Sequence, residues 1–255
     1  MDIENTLPVR IDVEGELDAL ARRYKGAGGL GISVLNLIGG SAENLLDRLP
    51  DAVRRNLERA TLVALRQAMR AAHSSRSVVP DQKGWLNQAV TSALGAAGGA
   101  GGLPTALAEL PVTTTLLLRC IQGVAVEHGF DASAENVQFD CVQVFAAAGP
   151  LSGDEGTDLG FLSARLALSG KAMQAVLSTV APKLAVVLGQ KLAAQAVPIL
   201  GAAAGAATNY AYTSYYQDMA HVHFRLRRLA IDADVPHEQL LVGLQQRLER
   251  PVARR

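Results

Sequence analysis

The chain is 255 residues long, carries 24 Lys+Arg against 24 Asp+Glu, and is 49% apolar with only 4% aromatic residues. A chain of this length and apolar content can bury enough surface to repay its ordering entropy, which excludes intrinsic disorder. The balanced charge gives no field for a sequence-indifferent grip on nucleic acid, and two cysteines, Cys120 and Cys141, make no disulfide framework.

The first twenty residues hold six acids, from Asp2 to Asp18, and no apolar run. They read as neither a secretory signal nor a transit peptide, so a cytoplasmic protein is expected. Apolar residues then recur at three- and four-residue intervals, and no stretch alternates for long. This predicts an all-α protein, a single-domain bundle over residues 1–255 with roughly ten helices. Helices are expected over 14–24, 30–38, 42–49, 51–72, 84–94 and 104–128, then over 134–147, 155–168, 172–196, 199–231 and 236–250. Ser152 with Glu155 matches a capping box, and Asp234 is placed to cap the helix after Pro236. Gly129 stands where a left-handed C-cap is needed after His128. Pro111, Pro182 and Pro198 interrupt helical segments and free the carbonyls of Leu107, Ser178 and Ala194, with the Thr113–Thr115 and Ser178–Thr179 hydroxyls nearby.

Charge is unevenly spread. No charged residue falls between Lys83 and Glu109, or between Lys191 and Asp218. Both runs exceed the ~20 residues that span a bilayer. They are built of Ala, Gly, Ser, Thr, Gln and Asn, which carry little insertion energy, and Gln190, Gln195, Thr208 and Asn209 would each need a partner in hydrocarbon. Spanning is therefore not expected. Gly26-Ala-Gly-Gly-Leu-Gly31 matches GxGxxG, but a helix rather than a strand precedes it, and no GK[ST] follows any glycine run. Gly201 and Gly205 are four apart and leave one helix face bare for a close backbone approach, so Ala/Gly close packing is expected. The Ala96–Gly102 run is a poor helix interior and is expected to be a connection.

Hydrolytic chemistry finds no support. His237-Glu238 lacks the second histidine of HExxH, there is no GxSxG elbow, and neither cysteine has an activating neighbour. Glu109 is the most informative acid, because it ends 25 uncharged residues just before Pro111. If buried it needs a partner, expected from Asp218–Arg228 or Glu43–Arg48. Asp218 and His221 share a helix face as two metal ligands could, but two ligands do not make a metal site. Glu43, Asp47, Glu109, Arg119, Asp218, His221 and His223 are the candidate polar pocket; no metal and no cofactor is expected. His221, Arg225, Arg228 and Asp232 follow the spacing of a solvated face with local ion pairs. On the helix 51–72, Arg55, Arg59, Arg66 and Arg70 form one basic face opposite Val53, Leu57, Ala60, Ala64 and Ala68, a candidate surface for anionic lipid. Tyr210, Tyr212, Tyr215 and Tyr216 read equally as an interfacial belt or as core.

Several segments carry a resemblance: Lys25-Gly-Ala-Gly-Gly-Leu30, Gly39-Gly-Ser-Ala-Glu-Asn-Leu-Leu-Asp-Arg-Leu-Pro50, Gly98-Gly-Ala-Gly-Gly-Leu-Pro104, Ala106–Arg119, Ala193–Pro198 and Gln217–Phe224. In this order, over about residues 24–229, the chain resembles the EcsC protein family. That family is named after the third gene of an operon whose other products form an ABC transporter. The resemblance implies a link to membrane transport or secretion by neighbourhood, and no activity. The function expected first is that of a non-enzymatic, membrane-associated helical protein at the inner face of the membrane. Its partners would be an anionic membrane surface, a membrane transporter or a second copy of the chain, and not nucleic acid. The alternative is a soluble helical domain whose polar pocket binds a small ligand or metal.

Overall fold

The computed structural model describes residues 11–27, 29–30, 33, 46–75, 84–100, 102–145, 147, 149, 159–163, 170–195 and 201–249. Among them there is no strand, and the chain is all-α. In chain order the helices are α1 (Val13–Ala27), α2 (Asp51–Ser75), α3 (Gly84–Ala100), α4 (Gly102–Glu127) and α5 (Glu135–Val144). They continue with the single turn α6 (Gly160–Ser163), then α7 (Gly170–Gln195), α8 (Gly201–Asp232) and α9 (His237–Glu249). A 3-10 turn, Leu46–Arg48, precedes α2. Apart from Leu30 and Ser33, which are helical, the expected helix 30–38 lies outside the described residues, as do the Ser152–Glu155 capping box and the Pro198 break.

Local chemistry explains the helix ends. The Asp12 carboxylate accepts the Gly15 N–H at 2.9 Å and so caps α1. Gly129 closes α4 with φ +78°: Phe130 N donates to Ala125 O and Gly129 N to Val126 O, the paired bonds of a Schellman motif. Asp234 does something other than expected. It adopts φ 52° and terminates α8, with Val235 N donating to Ala230 O, while α9 starts from the carbonyl of Pro236. An aspartate tolerates the left-handed region well enough to replace glycine in that motif.

Both α4 and α7 run through their prolines, Pro111 and Pro182. The hydroxyls of Thr113, Thr114, Thr115 and Thr179 do not go to the freed carbonyls as expected. Thr114 and Thr115 bond the carbonyls one turn back, Leu110 O and Pro111 O, each at 2.7 Å, while Thr179 takes Ala175 O. A helical threonine reaches the carbonyl four residues back from its own position, so these bonds compete with any to the freed carbonyls.

With 32 residues, α8 is about 48 Å long, and α1, α3, α4, α5, α7 and α9 all pack against it. Tyr212, Tyr216, Phe224, Leu226 and Leu229 are fully buried along it, within one apolar cluster that extends from Leu17 to Leu248. Its contact with α3 is the tightest. A Cβ placed on Gly95 would stand 2.2 Å from the Gly205 carbonyl oxygen, so the two backbones touch where both side chains are missing. This contact explains why α3 continues to Ala100 through the run expected to be a connection: packing overrides the low helix propensity of its glycines. The tyrosine alternative is also decided. Tyr212, Tyr215 and Tyr216 are core, with the Tyr212 hydroxyl donating to Val187 O at 2.8 Å, and Tyr210 alone of the four is exposed.

Candidate functional site

Glu109 lies in the core of the bundle, its side chain 6% exposed. Its Oε1 accepts three hydrogen bonds, from Thr113 Oγ1 at 2.6 Å, Asn209 Nδ2 at 2.8 Å and Lys191 Nζ at 3.1 Å. The other Asn209 proton goes to Thr91 O at 2.7 Å, and the Thr91 and Thr213 hydroxyls meet at 2.7 Å. Four helices, α3, α4, α7 and α8, are thereby joined through one buried carboxylate. Glu109 Oε2 and Asn209 Oδ1 are buried without a partner among the described residues. Burial pushes the Glu109 carboxyl up, but the Lys191 charge and the three hydrogen bonds reverse this and hold it below its ordinary value. Complete burial draws the Lys191 ammonium down, and Glu109 is what opposes it.

The expected partners of Glu109 are therefore replaced by Lys191 and Asn209, which were not among the candidate site residues. Geometry gives the reason. Asn209 and Asp218 are nine residues apart, about 13 Å along one helix, so a carboxylate level with Asn209 is out of reach of the charged half of α8. One signal in the sequence pointed to Lys191: it borders an uncharged run as Glu109 does, and two charges stranded in apolar surroundings need each other.

The remaining pocket candidates have separate partners. Asp218 pairs with Arg23 of α1 at 3.1 Å, and burial raises its carboxyl above the ordinary value against that arginine. His221 Nδ1 meets His128 Nε2 at 3.0 Å, so the two rings share one proton. Burial, helped by Arg23 and then by His128, lowers His221 to about 4, and burial with Arg225 and Arg23 lowers His128. Beside them Arg225 forks onto both oxygens of Glu16, at 2.7 and 3.0 Å. His223 is buried on the other side of α8, its Nε2 3.6 Å from Asp140 Oδ1 and its ring stacked on Phe161. Arg227 also bonds Asp140 and lies 4.6 Å above the Phe130 ring. Asp47 is exposed and pairs with Arg54 at 2.9 Å. Arg119 is half-buried on α4, and Glu43 lies outside the described residues. The expected pocket thus resolves into an ion-paired core and several helix-docking clusters, because residues two or three apart on α8 face different neighbours. Among the described residues no three His, Cys, Asp or Glu groups could hold one metal. Both cysteines are buried, and burial pushes the Cys120 thiol up to about 12, the opposite of a nucleophile's setting.

The surface is organised more simply. Ala89, Val90, Ala93 and Ala97 form the outward stripe of α3, Pro104, Thr105, Ala108 and Val112 that of α4, and Ala202, Ala203 and Tyr210 that of the first half of α8. Since α3 packs against both α4 and α8, three uncharged stripes of small residues are carried by helices that pack on one another. Packed against α4, α2 exposes Arg55, Arg59, Arg66 and Arg70 in one row, which borders a groove between α2 and α4. Opposite that row Leu57, Thr61, Ala64, Leu65 and Ala68 are buried, while Ala60, expected on the inner face, is exposed toward the groove. Among the described residues one helix is long and apolar enough to cross a membrane, the α7 stretch Ala175–Ala194, and 67% of it is buried inside the bundle. It is a core helix here.

A model of the EcsC protein family matches residues 41–229, about three-quarters of the chain. The chain belongs to the EcsC protein family. The matched region of this EcsC protein contains the whole Glu109–Lys191–Asn209 network and most of α8, and ends at Leu229. No curated relative and no solved structure matches the chain.

Proposed function

We propose that this EcsC protein is a non-enzymatic helical protein that docks peripherally on an anionic membrane surface, on the cytoplasmic side, as an accessory to transport or secretion. The observation that carries this reading is the pairing of an uncharged, small-residue surface on α3, α4 and α8 with the exposed arginine row of α2. An apolar surface without charge costs little to bring to a lipid interface, and each base held near anionic headgroups contributes about 1 kcal/mol. Val90, Val112 and Tyr210, all at least 41% exposed, are the side chains large enough to enter the interface. The family's operon neighbourhood with an ABC transporter supports the transport role. The reading takes the chain as one helical domain of roughly ten helices, close-packed through Ala and Gly.

Flotation with vesicles of phosphatidylglycerol and phosphatidylcholine tests it. The protein is expected to float at low salt, to lose most of that binding near 1 M salt, where the Debye length falls to about 3 Å, and to lose it when Arg55, Arg59, Arg66 and Arg70 become Gln. A protein that stays in the soluble fraction throughout refutes the reading. Glu109 Oε2 and Asn209 Oδ1, buried and without a partner among the described residues, favour a second reading, a soluble domain with a small-molecule site. That reading requires a stoichiometric ligand that is lost in Glu109→Gln while the fold is retained.

A further inference from the structure

The groove between α2 and α4 has a volume of about 430 Å³, within the range of small-molecule sites. Its walls are mostly apolar: Ala60, Val63 and Ala64 from α2, and Leu107, Leu110 and Pro111 from α4. Among the described residues, polar groups stand only at its ends along α2, Asn56 and Arg59 at one and Gln67 at the other. From Asn56 to Gln67 is eleven residues, about 16 Å of helix. The groove is therefore elongated, apolar along its length and cationic at one end.

Arg59 is held for binding. One of its N–H groups donates to Asn56 Oδ1 at 2.7 Å, and Asn56 is itself fixed by donating to Ala52 O at 2.8 Å. No carboxylate pairs with Arg59 among the described residues, which leaves most of the guanidinium fork unused. Arg54, one turn away, is by contrast neutralised by both Asp47 and Asp51. A planar fork with free donors matches a phosphate or carboxylate, and Arg55, on the same row, adds to the local positive charge.

We propose that the α2–α4 groove binds a single anionic amphiphile, one acyl chain lying along Val63 and Leu110 with its phosphate or carboxylate on Arg59. This rests on the membrane-surface reading and extends it from a surface to a defined lipid site.

The test is equilibrium binding of dodecyl phosphate below its micelle concentration to the intact protein. Inorganic phosphate represents the headgroup alone, and dodecyl maltoside the chain alone. Dodecyl phosphate is expected to bind one to one, and each half-probe at least about tenfold more weakly. Ala60→Trp, which fills the groove from an exposed position, and Val63→Asp, which puts a charge in the chain's path, should each abolish binding. Arg59→Gln should weaken it about tenfold, the scale of a lost charge-assisted bond. Unchanged dodecyl phosphate binding in both Ala60→Trp and Val63→Asp overturns the proposal. So does inorganic phosphate binding as tightly as dodecyl phosphate, which would make the site one for a free anion. Vesicle flotation of the same proteins separates the two claims. Wild type that floats without binding dodecyl phosphate refutes the groove site and leaves surface docking in place, whereas failure to float refutes surface docking itself.

Discussion

Lys191→Met removes the only charge among the described residues that faces Glu109 in the core, and leaves the packing volume nearly intact. At the observed separation of 3.1 Å, the attraction at an effective dielectric of 20 is about 5 kcal/mol. Breaking one side of a buried pair costs about 3–5 kcal/mol in general, since the remaining charge is stranded. The two figures agree, and for a chain of this size such a loss lowers the melting temperature by about 10 °C. Thermal and urea denaturation followed by circular dichroism would measure it. Replacing both partners, as Glu109→Leu with Lys191→Met, should recover most of the loss, because no charge then remains buried. The acid limb gives a further check. Glu109 is held below its ordinary value of 4.5, so its contribution is present above that pH and is lost as pH falls through its folded value. In Lys191→Met the carboxyl should instead rise, and the deficit against wild type should shrink on acidification. A single variant costing less than about 1 kcal/mol, or a double variant less stable than the single, would refute the account of a desolvated, mutually dependent pair.

Three further outcomes follow from other contacts. Gly95→Ala should destabilise by about 1–3 kcal/mol in thermal denaturation despite alanine's better helix propensity, because its Cβ would collide with the Gly205 carbonyl; a variant as stable as wild type would show that α3 and α8 do not touch there. His221 is lowered from 6.5 to about 4, so the unfolded chain binds more protons between these values and stability should rise with pH across that window, by at most about 3 kcal/mol. His221→Gln should flatten that slope in denaturation curves taken from pH 4 to 7, and a slope unchanged by the substitution would mean that other groups produce it. Arg247→Gln severs the contacts of α9 with Glu14 and Asp18 of α1, yet should cost less than about 1 kcal/mol because both carboxylates are largely exposed; a loss above about 2 kcal/mol would mark this as the anchoring contact between the two helices.

Local rules carried the secondary structure. Spacing at three and four residues is set by helix geometry alone, and so the all-α fold, the α8 ion pair between Arg228 and Asp232 at 2.7 Å and the left-handed glycine after His128 were all legible in the sequence. So was the need of Glu109 for a partner, because a carboxylate flanked by apolar chain cannot stay buried and unpaired. Other features depended on which helices lie side by side. Whether Asp234 ends α8 or begins α9 depends on the course of the backbone between them. The pairing of Glu109 with Lys191, 82 residues away, depends on the rotation of α4 and α7 about their axes, which neither segment determines by itself. The dispersal of Asp218, His221 and His223 arises in the same way: adjacent positions on α8 meet α1, α4 and α5 in turn. Sequence alone determined which residues had to be buried, capped or paired, since those demands are local. Tertiary structure decided with whom, because the partner of a buried group is whatever the neighbouring helix presents at that height and angle.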